Sequence, residues 1–184
     1  MPETDRLGDA RRILVYGVTG SGKSTMARIL GELTGLPVTS VDDITWSPDW
    51  VPMPVADQIA HFDALTCTDA WVLDSAYGHW RDLVIERADL VVALDYPRLT
   101  SLGRLLRRTA ARIIDGEEVC NGNRETLRGA VLARDTLVMW QLTSFQRKRR
   151  EMRAWETATS GPAVIRLRRP RHARAFVEAE TARS

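Results

Sequence analysis

Ten residues, Tyr16-Gly-Val-Thr-Gly-Ser-Gly-Lys-Ser-Thr25, constrain this chain more than any other stretch. They lie between an apolar run, Ile13-Leu14-Val15, and an amphipathic segment opening at Met26, and from Gly17 to Ser24 they match G-x-x-x-x-G-K-[ST] without a mismatch. Gly17, Gly20 and Gly22 permit backbone dihedrals closed to other residues, so that successive N–H groups of Thr19, Gly20 and Ser21 can converge on an anion at a helix N-terminus. Lys23 supplies a mobile ammonium for β- and γ-phosphate oxygens. Ser24 places a hydroxyl where Mg²⁺ would need one, and Thr25 can hydrogen-bond an α-phosphate. A plain glycine-rich turn from strand to helix would require neither Lys nor Ser in this register. With a strand before and a helix after, residues 17–25 read as a nucleoside-triphosphate site.

Composition supports one detail of that assignment. Of the 26 basic residues only Lys23 and Lys148 are lysines, so a sequence that otherwise uses Arg keeps Lys where a compact phosphate-binding charge is needed. At 184 residues and 44% apolar, the chain is long enough for one well-buried domain, 1–184, and short for two. A net charge of +2 says little about nucleic acid or membrane. Cys67 and Cys120 are widely spaced and lack the partners of a zinc site or disulfide framework, which suits a reducing cytoplasm. Residues 1–11 are polar and read as a loose tail without a hydrophobic signal core. No apolar run approaches a membrane span, so a soluble cytoplasmic protein, monomer or homodimer, is expected.

Strands are expected at 13–16, 36–41, 71–74, 90–94 and 163–167, each a short apolar run. Helices are expected at about 23–34, 55–65, 80–87, 98–114, 126–159 with one possible break, and 172–182. Prolines at 48, 52 and 54 argue against regular structure between Trp46 and Pro54. Strands alternating with helices imply a parallel α/β sheet covered on both faces, with ligands at the carboxyl ends of the strands. Residues 17–25, Asp42, Asp74 and Asp95 then share one edge.

Each acid could merely cap the helix or turn after it. Asp74 is the first candidate to hold Mg²⁺ opposite Ser24, and Asp95 the second, because Pro97 makes it look like strand termination. Asp42 sits where an acceptor would meet the γ-phosphate. Arg104, Arg108 and Arg112 form a stripe on one helix face. Two readings of it stand: a solvated face, or one arm of a helix–loop–helix lid whose far arm carries Arg147, Lys148, Arg149, Arg150 and Arg153. Phosphoryl transfer uses such movable cations, whereas nucleic-acid binding would lack any accompanying motif. Trp46 and Trp50 either wall an acceptor pocket or pack a surface loop.

The chain resembles the small P-loop kinases of the adenylate kinase type, and within them the topology modulation protein group. The resemblance rests on Gly17 to Thr25, Val41-Asp-Asp-Ile-Thr-Trp46 with Pro48 and Trp50, Trp71-Val-Leu-Asp74 with Tyr77, Leu94-Asp-Tyr-Pro97, and Arg104 to Arg108. It implies a P-loop NTPase three-layer sandwich with a five-stranded parallel sheet of order 2-3-1-4-5 and a helical arginine-bearing lid at about 104–150. It also implies ATP with Mg²⁺ as donor, Arg104 against the adenine, Arg108 on the transferred phosphate, and Arg168 to Arg171, with Arg169 among them, at the adenine edge. The Asp-Gly-Phe-Pro-Arg run of true adenylate kinases is here Asp74-Ser-Ala-Tyr-Gly78, and their AMP-binding segment is replaced by Trp46 to Pro54.

The expectation is therefore an ATP- and Mg-dependent phosphotransferase, with Lys23, Asp42, Arg104, Arg108, Arg112 and Arg149 acting on the transferring group and Ser24 and Asp74 holding the metal. Its partner is a small acceptor: a nucleotide, a nucleoside or another hydroxyl compound. The alternative is a nucleotide-binding regulatory ATPase without a stoichiometric acceptor.

Overall fold

The computed structural model describes residues 7–116, 118–124 and 137–183. In chain order the elements are β1 (Arg12–Gly17), α1 (Lys23–Thr34), β2 (Val38–Thr39), α2 (Val41–Thr45), β3 (Trp46–Ser47), a 3-10 turn (Pro48–Trp50), β4 (Val51–Pro52), α3 (Val55–Thr66), β5 (Trp71–Leu73) and α4 (Arg81–Arg87). They continue with β6 (Leu90–Leu94), α5 (Arg98–Asp115), β7 (Glu118–Val119), β8 (Asn123–Arg124), α6 (Leu137–Thr157), β9 (Ala163–Leu167) and α7 (Pro170–Thr181).

Five strands form one parallel sheet, in the order β2-β5-β1-β6-β9. The expected order, 2-3-1-4-5, differs as numbered because it counted five strands where the described residues contain nine. The additional ones, β3, β4, β7 and β8, are two-residue strands paired as two hairpins outside the sheet. β1 lies at the centre with its residues from Ile13 to Tyr16 fully buried, because both faces are covered. Ile13, Val15, Val92 and Ile165 meet Met26 and Leu30 of α1 and Phe176 of α7 on one face. Leu14, Tyr16, Val91 and Ala93 meet Phe62 of α3, Val84 of α4 and Met152 of α6 on the other. Helix, sheet and helix thus make three layers, and β1 delivers its following turn to the middle of the carboxyl edge.

Several local expectations need correction. The segment 36–41 forms only a two-residue strand, and Asp42 and Asp43 open α2 rather than end a strand. Residues 46–52 form a hairpin despite Pro48 and Pro52: Pro48 starts the 3-10 turn, where its missing N–H costs nothing, and β4 is one strand of an isolated pair. Residues 115–124, expected as a polar connection, contain a second hairpin. Of the expected loose tail, residues 1–6 lie outside the described residues, but Leu7 is buried in the core beside α1 and α7, with Ala10 packed against it. The stretch 125–136, part of the expected helical region and lid, also lies outside the described residues. Among the described residues no helix is long and apolar enough to cross a membrane.

Candidate active site

The turn after β1 is built so that its backbone can face a ligand. Gly22, the residue before α1, has φ 95°, and Gly20 has φ 80°, dihedrals that a side-chain-bearing residue rarely adopts. Gly20 also has no room for a side chain, since a Cβ there would stand 2.3 Å from the Ser101 carbonyl oxygen and 2.9 Å from Leu105. The loop therefore packs directly on the first turns of α5. Ser21 is buried, and its Oγ has no hydrogen-bond partner among the described residues. A buried hydroxyl left in that state is uncommon and fits a loop whose remaining partners are phosphate oxygens. Thr19 is half-buried and Thr25 exposed at the mouth of the same loop.

Lys23, the first residue of α1, folds back so that Nζ donates to the Val18 carbonyl oxygen at 3.3 Å. Burial lowers its pKa, Asp42 and Asp74 raise it, and the Arg108 charge lowers it further, so all three groups stand near the ammonium. The Ser24 hydroxyl stands near enough to the Asp74 carboxylate to lower its pKa, and Asp74 accepts the Val41 N–H at 2.9 Å. Asp74 is buried, and burial raises its pKa; Ser24, the Val41 N–H and Lys23 work against that rise. The fold thus brings Ser24 and Asp74 together, one hydroxyl and one carboxylate. No group of three or more metal-binding side chains exists among the described residues. Such a pair suits Mg²⁺, which keeps most of its shell as water and phosphate oxygen and takes one or two protein ligands.

Asp42 lies at the exposed start of α2 and is oriented by aromatic neighbours. Tyr77 Oη donates to Asp42 Oδ1 at 2.5 Å, and Trp46 Nε1 donates to Tyr77 Oη at 3.2 Å. Burial and the Asp42 charge push the Tyr77 phenol far above its usual range, which keeps it a donor. Trp46 and Trp50 meet edge to face, 6.0 Å between ring centroids.

The arginines separate into distinct environments. Arg104 reaches the loop, its Nη1 lying 3.5 Å from the Ser21 carbonyl oxygen and its guanidinium 5.5 Å from the Tyr96 ring centroid. Arg108 stands near enough to Lys23 to oppose its charge. Arg112, in the last turn of α5, stands near Cys120. Arg149 is held by Asp95, with Nε to Oδ1 at 3.0 Å. Asp95 also receives Arg166 at 2.8 Å and approaches Arg153 at 3.8 Å. A second-ranked metal candidate from sequence, it is instead enclosed by cations. Arg169, before α7, lines a cavity of about 500 Å³ with Asp95, Arg149, Arg153, Glu156 and Arg168.

Sequence reading missed a clasp between the two small hairpins. Asn121 Nδ2 donates to the carbonyls of Asp43 (2.6 Å) and Trp46 (2.7 Å). Asn123 accepts from Trp50 N at 2.8 Å and donates to the Ser47 carbonyl at 3.0 Å. The β7–β8 hairpin is thereby tied to the β3–β4 hairpin. The non-glycine residues with positive φ among those described, Asp49, Trp50, Cys120 and Asn121, all lie at these two tips. Strain confined to one junction marks a shape that other contacts impose. Burial, with the charges of Asp42 and Asp43 nearby, pushes the Cys120 thiol up to about 12. The one sequence signal was Asn121-Gly122-Asn123, a turn composition.

No protein-family model and no curated protein matches the chain. Solved structures do. A gluconokinase from Sinorhizobium meliloti 1021 matches at 18% identity over 94% of both chains, TM-score 0.51. A sugar kinase from Janibacter sp. HTCC2649 matches at 20% identity over 94% of this chain and 92% of that one, TM-score 0.51. A shikimate kinase from Acinetobacter baumannii, in complex with shikimate, matches at 17% identity over the same shares, TM-score 0.54. The chain has the α/β fold of P-loop kinases, with a central parallel five-stranded sheet.

Proposed function

We propose that this protein is an ATP- and Mg²⁺-dependent kinase, a P-loop phosphotransferase acting in the cytoplasm on a small acceptor that offers a hydroxyl. The observation that carries the reading is the grouping of Lys23, Ser24 and Asp74 at a loop whose buried Ser21 hydroxyl lacks a partner among the described residues. The backbone of residues 17–25 and Lys23 hold the triphosphate, Arg104 and Arg169 flank the base, and Arg108 and Arg112 close over the transferring group from α5. Arg149 joins them only after leaving Asp95. Residues 104–150 act as the lid of one domain, 1–184. Ser24 and Asp74 hold Mg²⁺, which neutralises charge on the phosphate oxygens when bound.

Asp42 takes the acceptor proton. A hydroxyl must lose a proton as it attacks, whereas a phosphate acceptor is already ionised and would be repelled by this carboxylate. Tyr77 and Trp46 orient Asp42, and the hairpin 46–52 replaces the AMP-binding segment of adenylate kinases. The kinases of similar fold are named for gluconate, a sugar and shikimate, which supports the same acceptor class. The test is an acceptor screen with coupled ADP detection over sugars, sugar acids, nucleosides and nucleoside monophosphates. Turnover with a hydroxyl compound is expected. Turnover confined to monophosphates, or a flat screen with slow ATP hydrolysis alone, overturns the acceptor assignment.

A further inference from the structure

The chain spends its two lysines on adjacent carbonyls of one loop. Lys23 Nζ donates to Val18 O at 3.3 Å, and Lys148 Nζ, from α6, donates to Gly17 O at 3.2 Å. Lys148 is 6% exposed, and its ammonium lies 4.9 Å from the Tyr16 ring centroid. Neither lysine forms an ion pair among the described residues. Glu151, the carboxylate one turn along α6, is already taken by Tyr16 Oη at 2.6 Å, by Arg81 at 2.5 Å and by Arg147 at 3.1 Å. Lys148 is therefore a buried cation placed beside another cation, with no carboxylate in contact.

A structural brace does not need this arrangement. An uncharged donor would serve the Gly17 carbonyl without the cost of burying a charge next to Lys23. Burial, with Lys23 and Arg147 adding repulsion, lowers the Lys148 pKa to about 7, while Glu151 and Asp42 oppose the shift. Lys stands at this buried position in a chain with 24 arginines, the 26 basic residues less two lysines.

We infer that Lys148 is a second phosphate-binding lysine, meeting the terminal phosphate of the bound nucleoside triphosphate from α6 while Lys23 meets it from the loop. The inference rests on the kinase reading above and adds a residue that the loop motif does not contain. The counter-charge that Lys148 lacks in its own contacts is supplied by the polyanion, and Lys148 reports its arrival to α6, the far arm of the lid.

The test compares ATP and ADP binding, each with Mg²⁺, by calorimetry on the full chain. Lys148→Met keeps length and removes charge; Lys148→Gln keeps a hydrogen-bond donor for Gly17. Both variants are expected to weaken ATP binding by about tenfold or more, as for loss of one charged contact, and ADP binding by less than about twofold. Equal losses for the two nucleotides, no loss, or full recovery in the Gln variant would reduce Lys148 to a brace and overturn the inference. Wild-type protein that binds neither nucleotide overturns the kinase reading itself. Should the variants not fold, wild-type protein labelled with ¹⁵N only at lysine Nζ gives two signals, assigned by Lys23→Arg. The Lys148 signal must then move further with ATP than with ADP, and a signal that responds equally to both overturns the inference.

Discussion

Asp74 and Asp95 come directly after the two strands that flank β1, both are buried, and in sequence each is an acid ending an apolar run. Their surroundings are opposite. Asp95 meets Arg166 and Arg149 within 3.0 Å, with Arg153 at 3.8 Å, and its charge is fully answered by the protein. Asp74 receives one backbone N–H, with the Ser24 hydroxyl and the Lys23 ammonium near it, and its ionised form is disfavoured by burial. A buried carboxylate that the fold neutralises with guanidinium groups holds the structure together. One that no guanidinium engages keeps capacity for a cation from outside.

The largest expected effect comes from Asp74→Asn. On the kinase reading it lowers kcat by about a thousandfold, several kcal/mol of lost metal-assisted charge stabilisation. The same change should raise the melting temperature. With its pKa raised in the folded state, Asp74 binds protons more readily folded than unfolded, so its ionised form costs stability at neutral pH and the cost fades as pH falls through the folded pKa. Steady-state kinetics and thermal melts at pH 5 and 7.5 check both halves. A variant less stable at pH 7.5 than the parent would place Asp74 with Asp95 as a structural acid.

Asp95→Ala is the converse. It leaves Arg166, whose side chain is 8% exposed, without one of its two carboxylates, Glu156 being the other. Breaking a buried pair from one side costs about 3 kcal/mol, and the partial exposure of Arg149 and Arg153 keeps the figure at the low end. Urea denaturation should show that loss, while kcat per folded molecule stays within about threefold of the parent. A kcat collapse with unchanged stability would move the metal to Asp95.

Asp42→Asn ranks next. It preserves a hydrogen-bond acceptor for Tyr77 and removes basicity, so transfer to a hydroxyl acceptor should fall by about a hundredfold or more. Rates measured at saturating acceptor check this. A near-normal rate would leave Asp42 as a neighbour of the metal site and favour an already ionised acceptor.

The difference between the two acids also explains how much was legible in the sequence. The turn before α1 is built from contiguous residues, so its spacing alone located it, and α1, β6 and β9 appeared where apolar runs and Gly35 put them. Asp74 and Asp95 could not be told apart, because what separates them is Arg149 and Arg166, 54 and 71 residues further along than Asp95 by subtraction of residue numbers. The hairpins 46–52 and 118–124 were hidden for the same reason. Two-residue strands carry no periodicity, and each is fixed by its contact with the other.

That contact gives the smallest and most selective prediction. Asn123 is 4% exposed and makes three hydrogen bonds, to Trp50 N, the Ser47 carbonyl and the Cys120 carbonyl. In Asn123→Ala those groups lose their partner, but they lie at hairpin tips where water can replace it, so the net cost should be about 1 kcal/mol. The clasp lies on the side of the sheet edge that carries Asp42 and Asp74, since Asn121 binds the Asp43 carbonyl and Cys120 stands near Asp42 and Asp43. Loosening it should disturb the position of Trp46, and through Trp46 the Tyr77 donor that orients Asp42. The expected result is a rise of about fivefold in KM for the acceptor, with KM for ATP unchanged. A rise in KM for ATP instead would mean that the β7–β8 hairpin serves the nucleotide and that the two sides of β1 are not divided between donor and acceptor.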